Sequence, residues 1–426
     1  MISNILIYLL SSIPLLFITG PFLSGMGTVL ISIFGLYSLS FFSNIKFHKS
    51  LKIFFIISIL FYFYLLVSSY LGPIPEESFK ASLFYFRFIL FTLGVYFLIN
   101  ENIELALGLV YRVLVICFSL VFLSILVEYF FINFIKSTSV SQYTGIFFDE
   151  KIAGSYVSRL YPLLVSLFIY FEKNLRYLSL TKFLISIFIL SFLIVFLSGE
   201  RSSMAIFIIS NLFLILGIKQ YRDAIVNKYI FIGIISSFFV FNFLANDTFN
   251  RIFIKTYDQI FDEEKINLLS DHHQAHFITA YKMFEENKLL GIGPRGFRNF
   301  CDDDKYIFIY KSEIQYNNNK TPKIINNKIQ KKHYNGCSTH PHNLLIQILS
   351  ETGLVGVIFY LIFIYWIYKN LLISIISGKN KLDIISFCAL TTLCSSFFPI
   401  LPSHNFFASY INILNFFILS FYFLKK

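Results

Sequence analysis

Long apolar stretches recur along the chain, separated for the most part by short polar turns. Each is near the roughly 20 residues that a helix needs to cross a bilayer. Twelve are expected, at about 3–19, 25–43, 51–71, 81–99, 105–131, 152–171, 181–198, 202–218, 228–245, 353–370, 382–400 and 406–424. The fifth is long for one crossing and predicts a tilt or an interfacial continuation. The chain opens MISNILIYLLSSIPLLFITG, with no basic residue ahead of the apolar run and no small-residue cleavage site. It therefore reads as a retained first helix rather than a signal peptide. The expected fold class is an all-α polytopic membrane protein with about 12 transmembrane helices.

One connection differs from the others. Between the ninth and tenth stretches a polar segment runs from about Asn246 to Thr352. It divides the chain into transmembrane helices 1–9 (1–245), a large loop (246–352) and transmembrane helices 10–12 (353–426). Inside the loop, HHQAHFITAYKMFEENKLL has a helical period that lets Phe277, Ala280, Tyr281 and Phe284 share a face. GIGPRGF then breaks the helix with glycines and a proline. Tyr310 to Tyr334, rich in Asn, Lys and Gln, reads as a mobile insertion without a repeat.

Composition sharpens this picture. Mean hydropathy is +0.70, 56% of residues are hydrophobic and 14% are charged, where soluble domains carry about 25% charge. An ordinary soluble domain is excluded. The 55 Phe and 27 Tyr lie mostly inside the apolar runs, as packing and lipid-facing side chains. The net charge of +11 comes from dispersed basic residues, which argues against a nucleic-acid partner. Lys46, Lys49 and Lys52, Lys173, Arg176 and Lys182, Lys219, Arg222 and Lys228, Lys369, Lys379 and Lys381, and Lys425 and Lys426 fall in alternate loops. By the positive-inside rule those loops and both termini are cytoplasmic. The large loop is then external, which is periplasmic in a cell with two membranes, and so are His272, His273, His276, His333, His340, His342 and His404. Only His48 is cytoplasmic.

Candidate chemistry gathers on that external side. Cys117, Cys388 and Cys394 lie inside apolar runs, whereas Cys301 and Cys337 form the one loop pair, either bridged or as two free thiols. A bridge would hold GIGPRGF beside THPHN. GIGPRG follows a helical pattern rather than a strand, so its glycines read as a tight turn and not as a dinucleotide fingerprint. Arg295 and Arg298 flank that turn, either holding a phosphate or solvated. The spacings of His340 with His342 and of His272 with His276 raise zinc, but no third ligand at fixed spacing accompanies either pair, so no metal is expected. Asp302 to Asp304 read as an exposed acidic turn. SGERSS (Ser198–Ser203) carries Glu200 and Arg201 in a short external turn. Arg201 there either pairs with Glu200, snorkels toward lipid phosphates, or meets an anionic lipid-linked group. Arg87 and Arg112 interrupt apolar runs as buried partners or pathway residues.

THPHN, followed by LLIQILSETGLVG, resembles the signature of the O-antigen ligase and O-antigen polymerase superfamily. SGER in a short external turn and AYKMFEENKLLGIGPRGF ahead of the loop match it too. That family comprises bacterial polytopic membrane glycosyltransferases with about a dozen helices and one large periplasmic loop. The resemblance implies transfer of a glycan from an undecaprenyl-pyrophosphate-linked donor to an acceptor hydroxyl, with inversion and without a metal or other cofactor. It implies a bacterial inner-membrane location, bilayer lipids as surroundings and an active site facing the periplasm. It makes His342 and Arg201 catalytic. A second family arginine usually stands a few residues before the helix that ends at the GxG turn. Here DHHQAH holds that place, so His272, His273 or His276 substitutes there, or Arg295 or Arg298 supplies the second pyrophosphate contact. His340 joins the substrate-binding set, and Asn343 or Glu351 orients the imidazole or the acceptor. The acceptor is lipid A core for a ligase, slightly favoured, or a carrier-linked repeat unit for a polymerase. A polysaccharide or lipid transporter is the alternative outside the enzyme class; its related halves and midplane polar sites have no counterpart in the sequence.

Overall fold

The computed structural model describes residues 2–41, 49–136, 138, 140–172, 177–226, 233, 245–262, 265–266, 269–311, 324–325, 328–329, 333–376 and 383–424. Within them the chain forms α1 (Ile2–Ile18), α2 (Pro21–Phe41), α3 (Lys49–Leu71), α4 (Pro75–Leu83), α5 (Phe86–Glu101) and α6 (Ile103–Phe130). Then come α7 (Ala153–Phe171), α8 (Tyr177–Leu197), α9 (Arg201–Gly217) and α10 (Lys219–Ile225). After α11 (Asn246–Phe249) and α12 (Lys255–Ile260), α13 (Asp271–Glu286) and α14 (Phe297–Phe300) precede α15 (Leu344–Ile376), α16 (Ile384–Ser396) and α17 (Ser409–Tyr422). Among the described residues six helical segments are long and apolar enough to cross a membrane, and α9 with α10 makes a pair bent by 118°. The chain is a multi-pass, all-α membrane protein. The expected stretch at 228–245 lies outside the described residues except for Gly233 and Ala245, and most of the Tyr310–Tyr334 insertion lies outside them as well.

The surface of the bundle follows bilayer rules. On α3, Ile56, Leu60, Phe63 and Val67 are all at least half exposed, and their spacing puts them on one face. That stripe faces lipid, while Ser68 and Ser69 on the same helix are buried. Lipid tails are as apolar as leucine, so helices associate through close packing and internal hydrogen bonds. Between α2 and α5, a methyl group on Gly35 would lie 2.4 Å from the Leu90 carbonyl oxygen, and one on Gly94 would lie 2.2 Å from that of Ile31. The two backbones touch because both positions lack side chains. Helix α7 is buried over nearly its whole length and packs against α6, α8, α9 and α16.

Two differences from the expected pattern bear on the site. The tenth apolar stretch begins as a helix at Leu344, nine residues before 353, because Asn343 caps it through Oδ1, which accepts from Ile346 N at 3.1 Å. Gly353 is a break inside that helix (φ 63°, ψ −166°). Helix α13 buries Ala275, His276, Thr279, Ala280 and Met283 rather than the Phe277–Tyr281 face, and Tyr281 is exposed. The cause is its partner, the antiparallel strand pair β1 (Ile309–Lys311) and β2 (His333–Asn335). The backbone N–H of Phe308 donates to the Thr279 hydroxyl at 3.0 Å, and Gly336 packs against Thr279 and the Ala275 carbonyl. The small and polar edge of α13 therefore turns inward and takes His276 with it.

Candidate functional site

Five elements converge at one end of the bundle. Helix α13 contributes His272, His273 and His276, and the turn before α15 contributes His340 and His342. The imidazoles of His340 and His342 lie 4.1 Å apart between centroids, those of His276 and His342 5.4 Å, and those of His273 and His342 5.7 Å. His342 is thus the hub of the cluster. Hydrogen bonds to carbonyls, which only accept, fix two tautomers. His276 donates from Nδ1 to the Gly336 carbonyl at 3.0 Å, and His340 donates from Nε2 to the Ser403 carbonyl at 3.3 Å. His342 meets the Ser338 hydroxyl through Nε2 at 3.2 Å. When Nε2 carries the proton, Nδ1 is the free lone pair.

Burial disfavours charging these rings, and each ring adds to the penalty of its neighbours. Burial first, then His340, His276 and His273, pull His342 down to about 3. Burial brings His340 and His273 to about 4 and lowers His276. Beneath them His404, the histidine among α15, α16 and α17, is held well below its ordinary value by burial and by Arg159. His273, His276, His340 and His342 are neutral at neutral pH. Among the described residues no group of three or more His, Cys, Asp or Glu is arranged to hold a metal ion.

Rigid braces surround the hub. His342 has φ 57°, a left-handed conformation that costs an L-residue about 1–2 kcal/mol. Its carbonyl accepts from Ser403 N at 2.8 Å, and Asn343 Nδ2 donates to the Pro399 carbonyl at 2.8 Å. Glu351 is fully buried: its Oε1 accepts from Phe297 N at 3.2 Å and its Oε2 from Gln347 Nε2 at 3.0 Å. Gln347 Nε2 also reaches Asn405 Oδ1 at 2.8 Å. Asn343 and Glu351 hold backbone and amide groups in place; neither reaches the His342 ring. The GIGPRG turn locks onto the break in α15, with Ile292 N donating to the Ser350 carbonyl at 3.0 Å and Leu354 N to the Lys288 carbonyl at 2.8 Å. Cys301 and Cys337 form a disulfide that fastens the α14 segment to the strand leading into His340.

Cations flank the histidines on two sides. Arg201, at the start of α9, donates from Nε to the Arg251 carbonyl at 2.9 Å and from Nη1 to Gln259 Oε1 at 3.0 Å. Arg251 in turn donates from Nε to the Gly199 carbonyl at 2.9 Å. These two bonds tie the Arg251 segment to the SGER turn and set Arg251 near Arg201, which lies on the His273 side of the cluster. Arg298, exposed, stands on the His340 side, with Arg295 next to it. Arg295 is bound to the structure itself, donating from Nη2 to the Phe407 carbonyl at 3.0 Å. Arg87 lies near Arg295 and donates to the Ser409 hydroxyl at 2.5 Å. Among the described residues none of these five arginines has a carboxylate within ion-pair distance. Glu200 does not pair with Arg201. Its Oε1 accepts from Gly154 N at 2.7 Å, and its Oε2 from Ser155 N at 3.1 Å and the Ser203 hydroxyl at 2.6 Å, at the N-terminus of α7. Burial raises its carboxyl to about 7.

Residues 186–361 match the family model described as O-antigen ligase. Over that segment, about two-fifths of its length, the chain is similar to the O-antigen ligase family. No curated protein matches it. The matched segment runs from α8 through the arginine pair, the histidines of α13, the GIGPRG turn and His342 into α15; Arg87, Arg159 and His404 lie outside it. Members of this O-antigen ligase family are membrane glycosyltransferase-like enzymes that act on lipid-linked glycans. Two features escaped the sequence. Arg251 carries no motif; its nearest signal is a π-turn at Asn250–Ile254, a helix defect common at functional sites. His404, in the chain as PSHN, gives no sign that it is to lie under His340.

Proposed function

We propose that the protein transfers a glycan from undecaprenyl pyrophosphate to an acceptor hydroxyl, with inversion and without a metal. The observation that carries this reading is a neutral imidazole hub flanked by arginines that have no carboxylate within ion-pair distance among the described residues. The acceptor O–H attacks the anomeric carbon from the face opposite the pyrophosphate. Its proton passes to His342, the new C–O bond forms, and the old sugar–phosphate bond breaks with its electron pair left on pyrophosphate oxygen. Arg201 and Arg251 receive that charge as a paired clamp. Arg251 is thereby the second pyrophosphate contact, in place of the histidines of DHHQAH and of Arg295. A ring held near 3 is a weak base in the free enzyme, but the anionic pyrophosphate favours the imidazolium and strengthens the base as the donor binds. The helices complete about twelve crossings, with both termini cytoplasmic and the histidines facing the periplasm. We favour lipid A core as acceptor, which makes the protein a ligase; a carrier-linked acceptor makes it a polymerase.

The test is an assay of purified protein with a pyrophosphate-linked glycan, with and without lipid A core, in EDTA. Product only with core supports the ligase, and longer carrier-linked chains without core support the polymerase. His342→Ala and Arg201→Ala should abolish transfer while the protein stays folded and inserted. Arg251→Ala should lose one charge-assisted contact, about 1.5–3 kcal/mol or roughly 10- to 150-fold in kcat/KM. Normal transfer by a stable His342→Ala variant sinks the proposal.

A further inference from the structure

Arg201 is held from two directions. Its Nε donates to the Arg251 carbonyl at 2.9 Å, and its Nη1 donates to Gln259 Oε1 at 3.0 Å. The first partner is backbone; the second is a side chain that no motif marks and that the transfer steps above leave without a role. A guanidinium only donates, so the amide atom that faces it is the oxygen, and this fixes which way the Gln259 amide points. The amide nitrogen sits on the other branch of the same carbon. It has no partner among the described residues, and Gln259 is only half-buried.

The placement is specific. Gln259 stands on α12, which follows directly on the π-turn that carries Arg251. Around it Ile254, Lys255, Tyr257, Asp258 and Phe261 are exposed, whereas Gln259 turns back toward the start of α9. One short run of chain thus reaches the SGER turn twice, through Arg251 to the Gly199 carbonyl and through Gln259 to Arg201. Arg201 Nη2, both Nη atoms of Arg251 and Gln259 Nε2 are left without partners among the described residues. All of these groups donate, and the oxygens of an ionised pyrophosphate only accept.

We propose that Gln259 binds the donor's pyrophosphate, its Oε1 setting Arg201 in place while its Nε2 donates to a phosphate oxygen. The inference rests on the transfer reading above and adds an uncharged third member to the clamp of Arg201 and Arg251. The residue type matters because an amide both accepts and donates. A glutamate here would hold Arg201 at least as well, but it would neutralise that cation and set a negative charge against the incoming phosphates. A methionine would keep the length and do neither task.

The experiment measures binding of radiolabelled geranylgeranyl pyrophosphate, which carries no glycan, and of geranylgeraniol to the full chain in nanodiscs. Gln259→Met should weaken the pyrophosphate about tenfold. Gln259→Glu, ionised at neutral pH, should weaken it at least about a hundredfold. Neither should change the affinity for the alcohol, and Gln259→Glu should melt no lower than the wild type. A merely structural Gln259 predicts the opposite order, because a glutamate still accepts from Arg201 and a methionine cannot. Wild-type pyrophosphate affinity in Gln259→Glu therefore overturns the proposal, whether or not Gln259→Met folds. Arg201→Ala separates the proposal from the reading beneath it. If Arg201→Ala loses the pyrophosphate and both Gln259 variants keep it, Gln259 alone is rejected. A wild type that binds the pyrophosphate no better than the alcohol rejects the clamp, and both readings with it. The expected order in a protein that transfers no glycan supports Gln259 as a pyrophosphate ligand and rejects the transfer reading instead.

Discussion

Gly291→Ala tests how the site is built. Gly291 has φ +71°, and a methyl group on it would lie 2.4 Å from both the Glu351 carbonyl carbon and the Thr352 nitrogen. These are backbone atoms, which cannot rotate away as a side chain can. The left-handed conformation costs alanine about 1–2 kcal/mol, and the overlap adds about 1–3 kcal/mol. A loss of about 2–5 kcal/mol follows from the two together. Gly108→Ala in α6 is the control. Its nearest neighbour would be Phe171 Cζ at 3.7 Å, an ordinary contact, and the position is helical. There alanine is favoured over glycine by about 1 kcal/mol. Thermal unfolding in nanodiscs should thus show opposite signs, with Gly291→Ala melting several degrees lower and Gly108→Ala level or higher. Gly291→Ala should also lose more transfer than its lowered stability accounts for. The shift it forces loosens the bond from Ile292 N to Ser350 and the bond from Phe297 N to Glu351, which hold α14 on α15. A Gly291→Ala protein that melts with the wild type and transfers normally refutes this account of the turn.

Two further outcomes are expected. With His342 drawn down to about 3 and His340 and His273 to about 4, kcat/KM, which reports the free enzyme, should be flat from pH 8 to about 5. An acid limb in kcat/KM near 6.5, the ordinary histidine value, would show that the rings are hydrated. The stability counterpart has a definite sign: unfolded histidines bind protons below about 6.5 and the folded ones resist, so stability from these rings is present above that pH and is lost as the pH falls toward 4. Replacing Cys301 and Cys337 together by serine opens a link across 36 residues, worth about 4 kcal/mol in chain entropy. Hydrogen exchange at 333–343 should accelerate at least tenfold, and unchanged exchange would mean that the neighbouring backbone bonds suffice alone.

Much of the helical architecture was legible because apolar length is a one-dimensional signal. Apart from 228–245, the expected stretches coincide with helices. THPHN, SGER and GIGPRG were legible as motifs, and their residues do approach one another. The inward face of α13 was not, because periodicity ranks residues by hydropathy, whereas Gly336 and Phe308 from the far side of the loop select Ala275 and Thr279. Arg251 was missed for a related reason. Its value lies in a bond to the Gly199 carbonyl, a contact across 52 positions that no local pattern encodes.

The acidic residues explain why the cations are available. Glu200 stands next to Arg201 in its motif, and a reader of the sequence would pair them, while Glu351 stands in the ETGLVG run. Both instead accept from backbone N–H groups, Glu200 at the start of α7 and Glu351 at the start of α14. Had Glu200 closed on Arg201, an incoming pyrophosphate would first have to break an ion pair, and in a poorly solvated place that competition costs several kcal/mol. Binding the carboxylates to the backbone fixes the helices that carry the site and leaves the guanidinium groups unneutralised. Arg201 and Arg251 are then held by carbonyl oxygens, which orient them without cancelling their charge. Burial keeps the imidazoles neutral, and the positive charge of Arg298 at His340 and of Arg201 at His273 adds to it until the donor arrives. On the transfer reading, one anionic group therefore serves two ends: it fills the clamp and it raises the proton affinity of His342 when the acceptor's proton has to be taken.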